Sequence, residues 1–492
     1  DELGNTVLYG HPDAQAILTK IQVENDRLLI LRNTVEGERP AGFVSYREIG
    51  NEDLFGVLKD MELANLVRGK SSREILLITG IYAREDGTGD SGVIRDAPQQ
   101  LLVEVLAKEL EKNYSFALFV AERGTATKEV VYVLERQGFI RPHMADENDK
   151  RTIYMVDMHE PLMFLHNLDT TIKEPFASNP AVLDAVEKNH KKLQIAMTKL
   201  YPGNLVHSLS SGVMNQRLVD RLTSLNDVPR EPLVPRRLGK NMCVPFGKIL
   251  RGKVVPNTVT KTLHTDKVYE PDLESYTIEP FPYYSPLNSQ IETIRSFDRP
   301  VILVDDLVHK ADRLQVLVPK LRETGIPIKR VVVGVLSGYG RDLMQQLKVP
   351  VESIYSMPNL RQWFVESTLY PFIGGDTVRR EEMKVAGLQP SINMILPYAT
   401  PRLSGCSREA LVEFSACCIE NSRDLLQVLE AEYRKQYAKN LTLSRLSEAV
   451  ILPLCPDKGS CMEYDENLAA SVYLENDLEM LQRMRKFMVT IQ

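Results

Sequence analysis

Short apolar blocks separated by polar turns set the pattern of the first third of the chain. "RLLILRN" (27–33) and "AGFVSYREI" (41–49) alternate with a period of two and predict strands. "DLFGVLKDMELANLVRGK" (53–70) has helical spacing. "EILLITGIYA" (74–83) is a continuous apolar run, predicting a buried strand. A helix is predicted over 97–113, with Pro98 in its first turn. A strand over 114–122 follows, then a helix over 125–139 that runs into a Gly stop, then a strand over 152–158. These elements predict a first domain over 1–160.

From 165 to 400 the rhythm changes. A long helical pattern covers 179–200, "NLVHSLSSG" (204–212) gives strand and loop, and "VMNQRLVDRLTSL" gives helix. Residues 228–290 are Pro-rich and irregular by pattern. Then come a strand (300–307), a helix (311–325), and strands at 329–338 and 351–358. Strands alternating with helices predict a parallel sheet with right-handed crossovers. The last segment, 404–492, has helical spacing nearly throughout, including "LTLSRLSEAVILPL" (441–454). Its expected role is a helical cap or a homo-oligomer contact. The fold class expected is α/β multidomain: a mixed sheet, then a parallel α/β sheet, then a helical C-terminal region.

Length agrees with this division, because 492 residues exceed what one hydrophobic core supports. The formal net charge is -6, which argues against a broad nucleic-acid surface while leaving room for a local basic site. Six cysteines without a C-x-x-C pair, even counting the "CPDKGSC" corner (455–461), read as thiols of a reducing cytoplasm. No apolar run approaches the ~18 residues of a membrane span. No secretory signal pattern opens the chain. It begins at Asp1 rather than Met, as a fragment or a trimmed chain would, which leaves open whether an upstream domain precedes it.

"AREDGTGDSG" (83–92) follows a predicted strand and precedes a helix, and contains Gly87, Gly89 and Gly92 in a G-x-G-x-x-G. Glycines let backbone approach a pyrophosphate, and a helix N-terminus favours its charge. "REDGTG" (84–89) and "LERQGF" (134–139) resemble the CoA-binding turn and the terminal helix block of GNAT-type N-acyltransferases. The resemblance covers about 150 residues. It implies acetyl-CoA in a V opened between strands 74–83 and 114–122, with Arg84, Gly87 and Gly89 at its pyrophosphate. Two features depart from the family. Its usual Tyr is Leu134, with Tyr132 about 200° away around the helix. Glu85, Asp86 and Asp90 would repel a pyrophosphate.

"VILVDDLVHKADRL" (301–314) delivers two carboxylates, Asp305 and Asp306, at the end of an apolar strand, where open α/β sheets bind ligands. This resembles the signature of type I phosphoribosyltransferases. The resemblance implies that Asp305 and Asp306 meet the ribose hydroxyls of phosphoribosyl pyrophosphate, partly through Mg²⁺. The family's Thr-Gly-x-Thr phosphate nest falls here on Lys310, Ala311, Asp312 and Arg313. Either Lys310 and Arg313 hold a phosphate by side-chain charge, or the loop has given up that role. Asp312 reads as the helix N-cap. Ser211 and Gly212, in a small strand-to-helix turn, stand where the family places pyrophosphate. Lys261, His264 and Lys267 stand where it carries a basic closing loop. "YPFIGGDTVRR" (370–380) offers a second Gly turn, and Trp363 reads as core or as a base stack.

Three functions follow. The leading one is a phosphoribosyltransferase-like protein that binds a phosphoribosyl compound or nucleotide with Mg²⁺. The alternatives are an acyl-CoA-dependent N-acyltransferase and a non-catalytic nucleotide-sensing or assembly protein.

Overall fold

The computed structural model describes residues 7–8, 13–33, 39–71, 74–84, 96–122, 127–142, 151–234, 237–250, 253–282, 284–380, 385, 387–401, 403–457 and 464–490. The chain forms two compact units. Unit 1 holds residues 1–163, 201–208 and 357–362, and unit 2 holds 164–200, 209–356 and 363–492. No described helix is long and apolar enough to cross a membrane.

Unit 1 is built on strands β1 (Arg27–Asn33), β2 (Arg39–Ile49), β3 (Ile75–Ala83), β4 (Phe116–Glu122) and β5 (Arg151–His166), in that spatial order. Antiparallel pairing joins all neighbours except β3 and β4, which run parallel. β6 (Asn204–Ser210) adds to β5. The helical pattern of 53–70 breaks into α2 (Leu54–Leu58) and α3 (Met61–Lys70), after α1 (Ala14–Val23). Asp60 divides them because its side chain accepts the Leu63 N–H and caps α3. Leu54, Leu58, Leu63 and Val67 pack on Ile75, Leu77, Phe116 and Leu118. α4 (Ala97–Glu109) and α5 (Lys128–Arg136) complete the unit.

Unit 2 contains a sheet of order β13-β12-β11-β7-β8, from β7 (Met242–Pro245), β8 (Val259–Thr260), β11 (Val301–Val308), β12 (Ile328–Ser337) and β13 (Val351–Met357). β11 pairs in parallel with both β12 and β7, and β7 with β8. Valines fill the central strands because both faces are covered. Val301, Leu303, Val331 and Val333 pack against Ile291 and Ile294 of α8 (Leu287–Arg295), Leu314 and Leu317 of α9 (Asp312–Glu323), and Met344 of α10 (Gly338–Gln346). A second sheet has the order β10-β9-β15-β16-β17. Its strands are β9 (Thr265–Tyr269), β10 (Tyr276–Pro280), β15 (Asp376–Val378), β16 (Gln389–Ile392) and β17 (Leu454–Pro456); the short β14 (Gln362–Val365) instead neighbours β5 in the first sheet.

The irregular stretch 228–290 thus carries four strands, each of five residues or fewer, too short to declare a period. Residues 441–454, expected to be helical, form a 3-10 turn at Leu443–Glu448 followed by the start of β17. The Gly-bearing stretch "SGYGRDL" (337–343) closes β12 and opens α10, where the Ser337 hydroxyl accepts the Gly340 N–H at 3.0 Å.

α6 (Pro180–Leu200), α7 (Ser211–Leu225), α11 (Arg408–Tyr437) and α12 (Ala470–Thr490) also belong to unit 2. The predicted helical C-terminal region is present as α11 and α12. α11 buries Val412, Phe414, Cys418, Ile419, Leu425 and Leu429. Asn189 of α6 and Asn421 of α11 exchange hydrogen bonds to each other's backbone oxygens, at 2.9 and 3.1 Å. Each buried amide nitrogen thereby finds an acceptor.

Candidate functional site

In the parallel sheet the chain leaves β11 toward β12 on one side and leaves β7 toward β8 on the other. The order therefore reverses between β7 and β11, and open α/β sheets form a ligand crevice at such a point, beyond the strands' carboxyl ends. β7 enters the crevice through Phe246, Gly247 and Lys248, and Phe246 donates its N–H to the Val304 carbonyl at 3.1 Å. β11 enters with Asp305 and Asp306.

Neighbouring strand residues face opposite ways, and the two acids are placed differently. Asp305 is buried at 3% exposure. Its Oδ1 accepts the Asp306 N–H at 2.9 Å, and its Oδ2 lies 3.6 Å from the Arg313 guanidinium. A Cβ on Gly247 would sit 1.7 Å from Asp305 Oδ1, so only glycine lets β7 pass this carboxyl. Burial, with the Asp306 charge beside it, raises the Asp305 pKa well above the usual carboxylate range, against the pull of Arg313. Asp306 lines an adjoining cavity.

That cavity, of about 440 Å³, lies wholly within unit 2. The volume is that of a small-molecule pocket. Its polar lining includes Ser211, Asn215, Lys248, Lys253, Asp266 and Asp306, with Gly374 and Gly375 closing one wall. Ser211 is the first residue of the fifteen-residue α7, and Ser210 accepts the Gly212 N–H at 3.2 Å. Ser211 Oγ is buried and has no hydrogen-bond partner among the described residues. An unsatisfied buried hydroxyl at a helix N-terminus, beside lysines, is suited to a phosphate oxygen.

More charge surrounds the crevice. Thr377 donates to Asp266 Oδ2 at 2.5 Å. Asp376 is raised by burial, with Lys248 and Lys267 opposing. Lys267 is lowered by burial, although Asp312 and Asp376 favour its charge. Burial also works against the Arg313 charge, but Asp305, Asp306, Asp266 and Asp376 together hold its pKa above the usual value.

The sequence-predicted residues are distributed unequally around this site. Asp306 and Ser211 line the cavity, Asp305 and Arg313 pair behind it, and Gly212 is exposed at the α7 terminus. Lys267 stacks its ammonium on Tyr276, 3.7 Å from the ring centroid, and lies 3.9 Å from Asp312. That engagement explains why Asp312 is not the cap of α9: the cap position is Ala311, at φ 52°. Lys310 is exposed, and its carbonyl accepts from Gln315. Lys261 is exposed, with its N–H on the Cys243 carbonyl. His264 stacks on Tyr284 at 3.7 Å between centroids. Arg379 pairs with Glu270 and Glu279, Arg380 with Asp457, and Trp363 is half-buried. Cys455 is buried, while Cys461 lies outside the described residues.

In unit 1, β3 and β4 pair only from Ile75–Ile78 to Phe116–Phe119, yet β3 runs on to Ala83 and β4 to Glu122. The two strands splay into the expected V. A register shift between β2 and β3 at Ser45/Tyr46 leaves Thr79 out of the ladder where the V opens. The Thr79 hydroxyl donates to Asp26 at 2.5 Å and can accept from the Ser45 hydroxyl at 2.8 Å. Arg84 is exposed and extends the β2–β3 pairing by donating its N–H to Ala41. Gly87 and Gly89 lie outside the described residues. Leu134 is fully buried, and Tyr132 is 40% exposed beneath the Arg136 guanidinium.

Gly247, Lys248, Lys253 and Asp266 escaped the sequence reading. A four-residue strand ending "PFGK" is a weak signal, and nothing local to it announces the partner strand sixty residues on.

No protein-family model matches this chain, and no curated protein matches it. Among solved structures it is similar to FeeM, an N-acyl amino acid synthase from uncultured soil microbes, at 16% identity over 30% of this chain and 92% of that one, TM-score 0.19. It is similar to the purine phosphoribosyltransferase of Pyrococcus horikoshii at 13% identity over 36% and 91%, TM-score 0.19. It is also similar to the hypoxanthine phosphoribosyltransferase of Trypanosoma cruzi, solved with its product IMP, at 14% identity over 32% and 73%, TM-score 0.19. At these values none of the likenesses bears on what this chain binds or catalyses.

Proposed function

We propose that unit 2 binds a phosphoribosyl compound or nucleotide with Mg²⁺, and that it is built to transfer the phosphoribosyl group. The observation that carries this reading is the switch-point cavity. It joins a helix N-terminus and two lysines, which suit phosphate, to Asp306 and Asp266, which suit a hard cation. Ser211 Oγ, the α7 terminus, Lys248 and Lys253 would take the phosphates. Mg²⁺ prefers one or two carboxylates together with substrate phosphates, so Asp306 would be its ligand, with the hard-to-ionise Asp305 carboxyl held behind it. In transfer, the lysines stabilise departing pyrophosphate and Asp306 stabilises positive charge developing on the ribose.

Calorimetric titration with phosphoribosyl pyrophosphate and Mg²⁺ tests this. Binding is expected, and it should weaken at least ~10-fold in Asp305→Asn/Asp306→Asn, about 1.4 kcal/mol. Unchanged binding in the double variant would overturn the proposal. Binding without pyrophosphate release in the presence of any base would leave a nucleotide-sensing role.

The V between β3 and β4 favours a second reading, an acyl-CoA site in unit 1 that serves an N-acyltransferase. Acetyl-CoA is the parallel titrant. Its heat should vanish in Gly89→Trp while the phosphoribosyl pyrophosphate response persists.

A further inference from the structure

Three side chains from distant parts of the sequence converge in unit 2, next in the chain to Leu165, Asn167 and Ser367 of the cavity lining. His166 ends β5, His190 lies within α6, and Glu366 opens the 3-10 turn Glu366–Leu369 after β14. One donor atom from each falls within 4.8 Å of the other two. His190 Nδ1 lies 2.5 Å from Glu366 Oε1, and His166 Nδ1 lies 3.7 Å from Glu366 Oε2. The two imidazole rings meet edge to face, centroids 4.4 Å apart at 65°. Both nitrogens can therefore point at one centre, which stacked rings would prevent.

We propose that His166, His190 and Glu366 form a transition-metal site, with zinc as its ion. Two imidazoles and one carboxylate make a donor set of the kind zinc accepts, whereas Mg²⁺ wants oxygen alone. Bonds of about 2.0–2.1 Å put ligand atoms roughly 3.3 Å apart around a tetrahedral ion. The existing separations of 2.5 and 3.7 Å bracket that value. The site forms when His190 moves off the carboxylate, His166 moves toward it, and their nitrogens, now within 4.8 Å, close on one point.

Two further observations point the same way. Glu366 has no exposed surface, and its Oε2 accepts no hydrogen bond among the described residues. Buried carboxylates are rare without a cation or a full set of donors. Second, outer groups already orient the ligands. The Gln194 side-chain amide lies 3.4 Å from His166 Nε2; turned so that its oxygen accepts the Nε2 proton, it leaves Nδ1 unprotonated for an ion, and the Tyr370 hydroxyl donates to Glu366 Oε1 at 3.4 Å. Metal-bound histidines and carboxylates carry such partners. His166 and His190 keep side-chain exposures of 14% and 21%, so three protein ligands leave a position that water can reach. The ion would tie together a strand end, a helix and a turn far apart in sequence, so its binding would add to folding stability.

The test strips the purified full chain with EDTA and titrates it with Co²⁺, reading visible absorption. One equivalent should give the intense bands of a four-coordinate ion. One equivalent of Zn²⁺ should displace it and raise the melting temperature by several degrees. His166→Asn and His190→Asn should each weaken Co²⁺ binding ~10-fold or more, while leaving the far-UV spectrum and the phosphoribosyl pyrophosphate titration as they were. No absorption and no zinc stabilisation in the intact chain would overturn the proposal and leave a hydrogen-bonded His–Glu–His core. Absorption undiminished in both variants would overturn it too, by placing the ion elsewhere. The intact-chain measurement stands even if a variant does not fold.

Discussion

The V of unit 1 and the crevice of unit 2 are both openings at the carboxyl ends of parallel strands, but they are made differently. The V arises in the backbone: two strands stop pairing after Ile78 and Phe119 and diverge. Several polar groups elsewhere in that unit are bonded to one another. Tyr114 donates to Glu48 at 2.8 Å and Lys112 meets Glu109 at 2.7 Å, while Arg47 holds Asp26 at 2.8 Å. The crevice of unit 2 arises from side chains that leave capacity over, as the unpartnered Ser211 Oγ and the tightly confined Asp305 show. An opening whose polar groups are already satisfied can bind through shape and backbone. An opening with unspent donors and compressed charge asks for a specific partner.

The sharpest way to break this contrast is Gly247→Ala. The added methyl would overlap the Asp305 carboxyl, which cannot retreat without giving up the Asp306 N–H. Phosphoribosyl pyrophosphate affinity should fall by about 100-fold, or 2.7 kcal/mol, with a stability cost of about 1–3 kcal/mol from overpacking. An unchanged titration would show that the Asp305 position does not matter to the ligand.

Arg313→Gln comes next. It leaves Asp305 buried without its cation, and chemical denaturation should report a loss of about 2–3 kcal/mol. Asp305 should become still harder to ionise, so Mg²⁺-dependent binding should require a higher pH than in the unaltered chain.

His207 supplies a test within unit 1. It is fully buried, neither ring nitrogen has a hydrogen-bond partner among the described residues, and burial lowers its pKa to about 3 from an ordinary 6.5. The unfolded chain then binds a proton the native state refuses, so stability falls as pH drops below 6.5 toward 3. The loss should be about 2 kcal/mol by pH 5. His207→Leu should flatten that part of a melting-temperature profile, and a profile that keeps its slope would assign the acid sensitivity elsewhere.

The smallest effect is expected of Thr79→Val at the mouth of the V. Losing the bonds to Asp26 and Ser45 should cost about 1 kcal/mol of stability. The unit 2 titration should not move. A change there would show that the two openings do not act independently.

What the sequence revealed followed the length of its apolar runs. Val301–Val304 and Val331–Leu336 announce β11 and β12 unaided, and with them the acids at the β11 end. β7 is four residues long, and its contribution depends on Gly247 meeting a carboxyl 58 positions away, which no local period encodes. Asp312 was misjudged for a similar reason. Its carboxylate satisfies a cap pattern, but Lys267, from another sheet, draws it away from the helix N–H groups. The Ala311 backbone takes the positive φ that the cap position then needs. Local rules fail at these positions because long-range charge outweighs them.

The mixed signs in the crevice also govern how a ligand arrives. Asp266, Asp306 and Asp376 lie among Lys248, Lys267 and Arg313, with Asp305 held from ionising by burial. Their fields largely cancel beyond a Debye length, about 8 Å at physiological salt. An anionic ligand approaching from solution is therefore neither pulled in nor turned away, and its association rate should vary little with ionic strength. Selection would fall on the residence time, once the ligand is close enough for each charge to act singly.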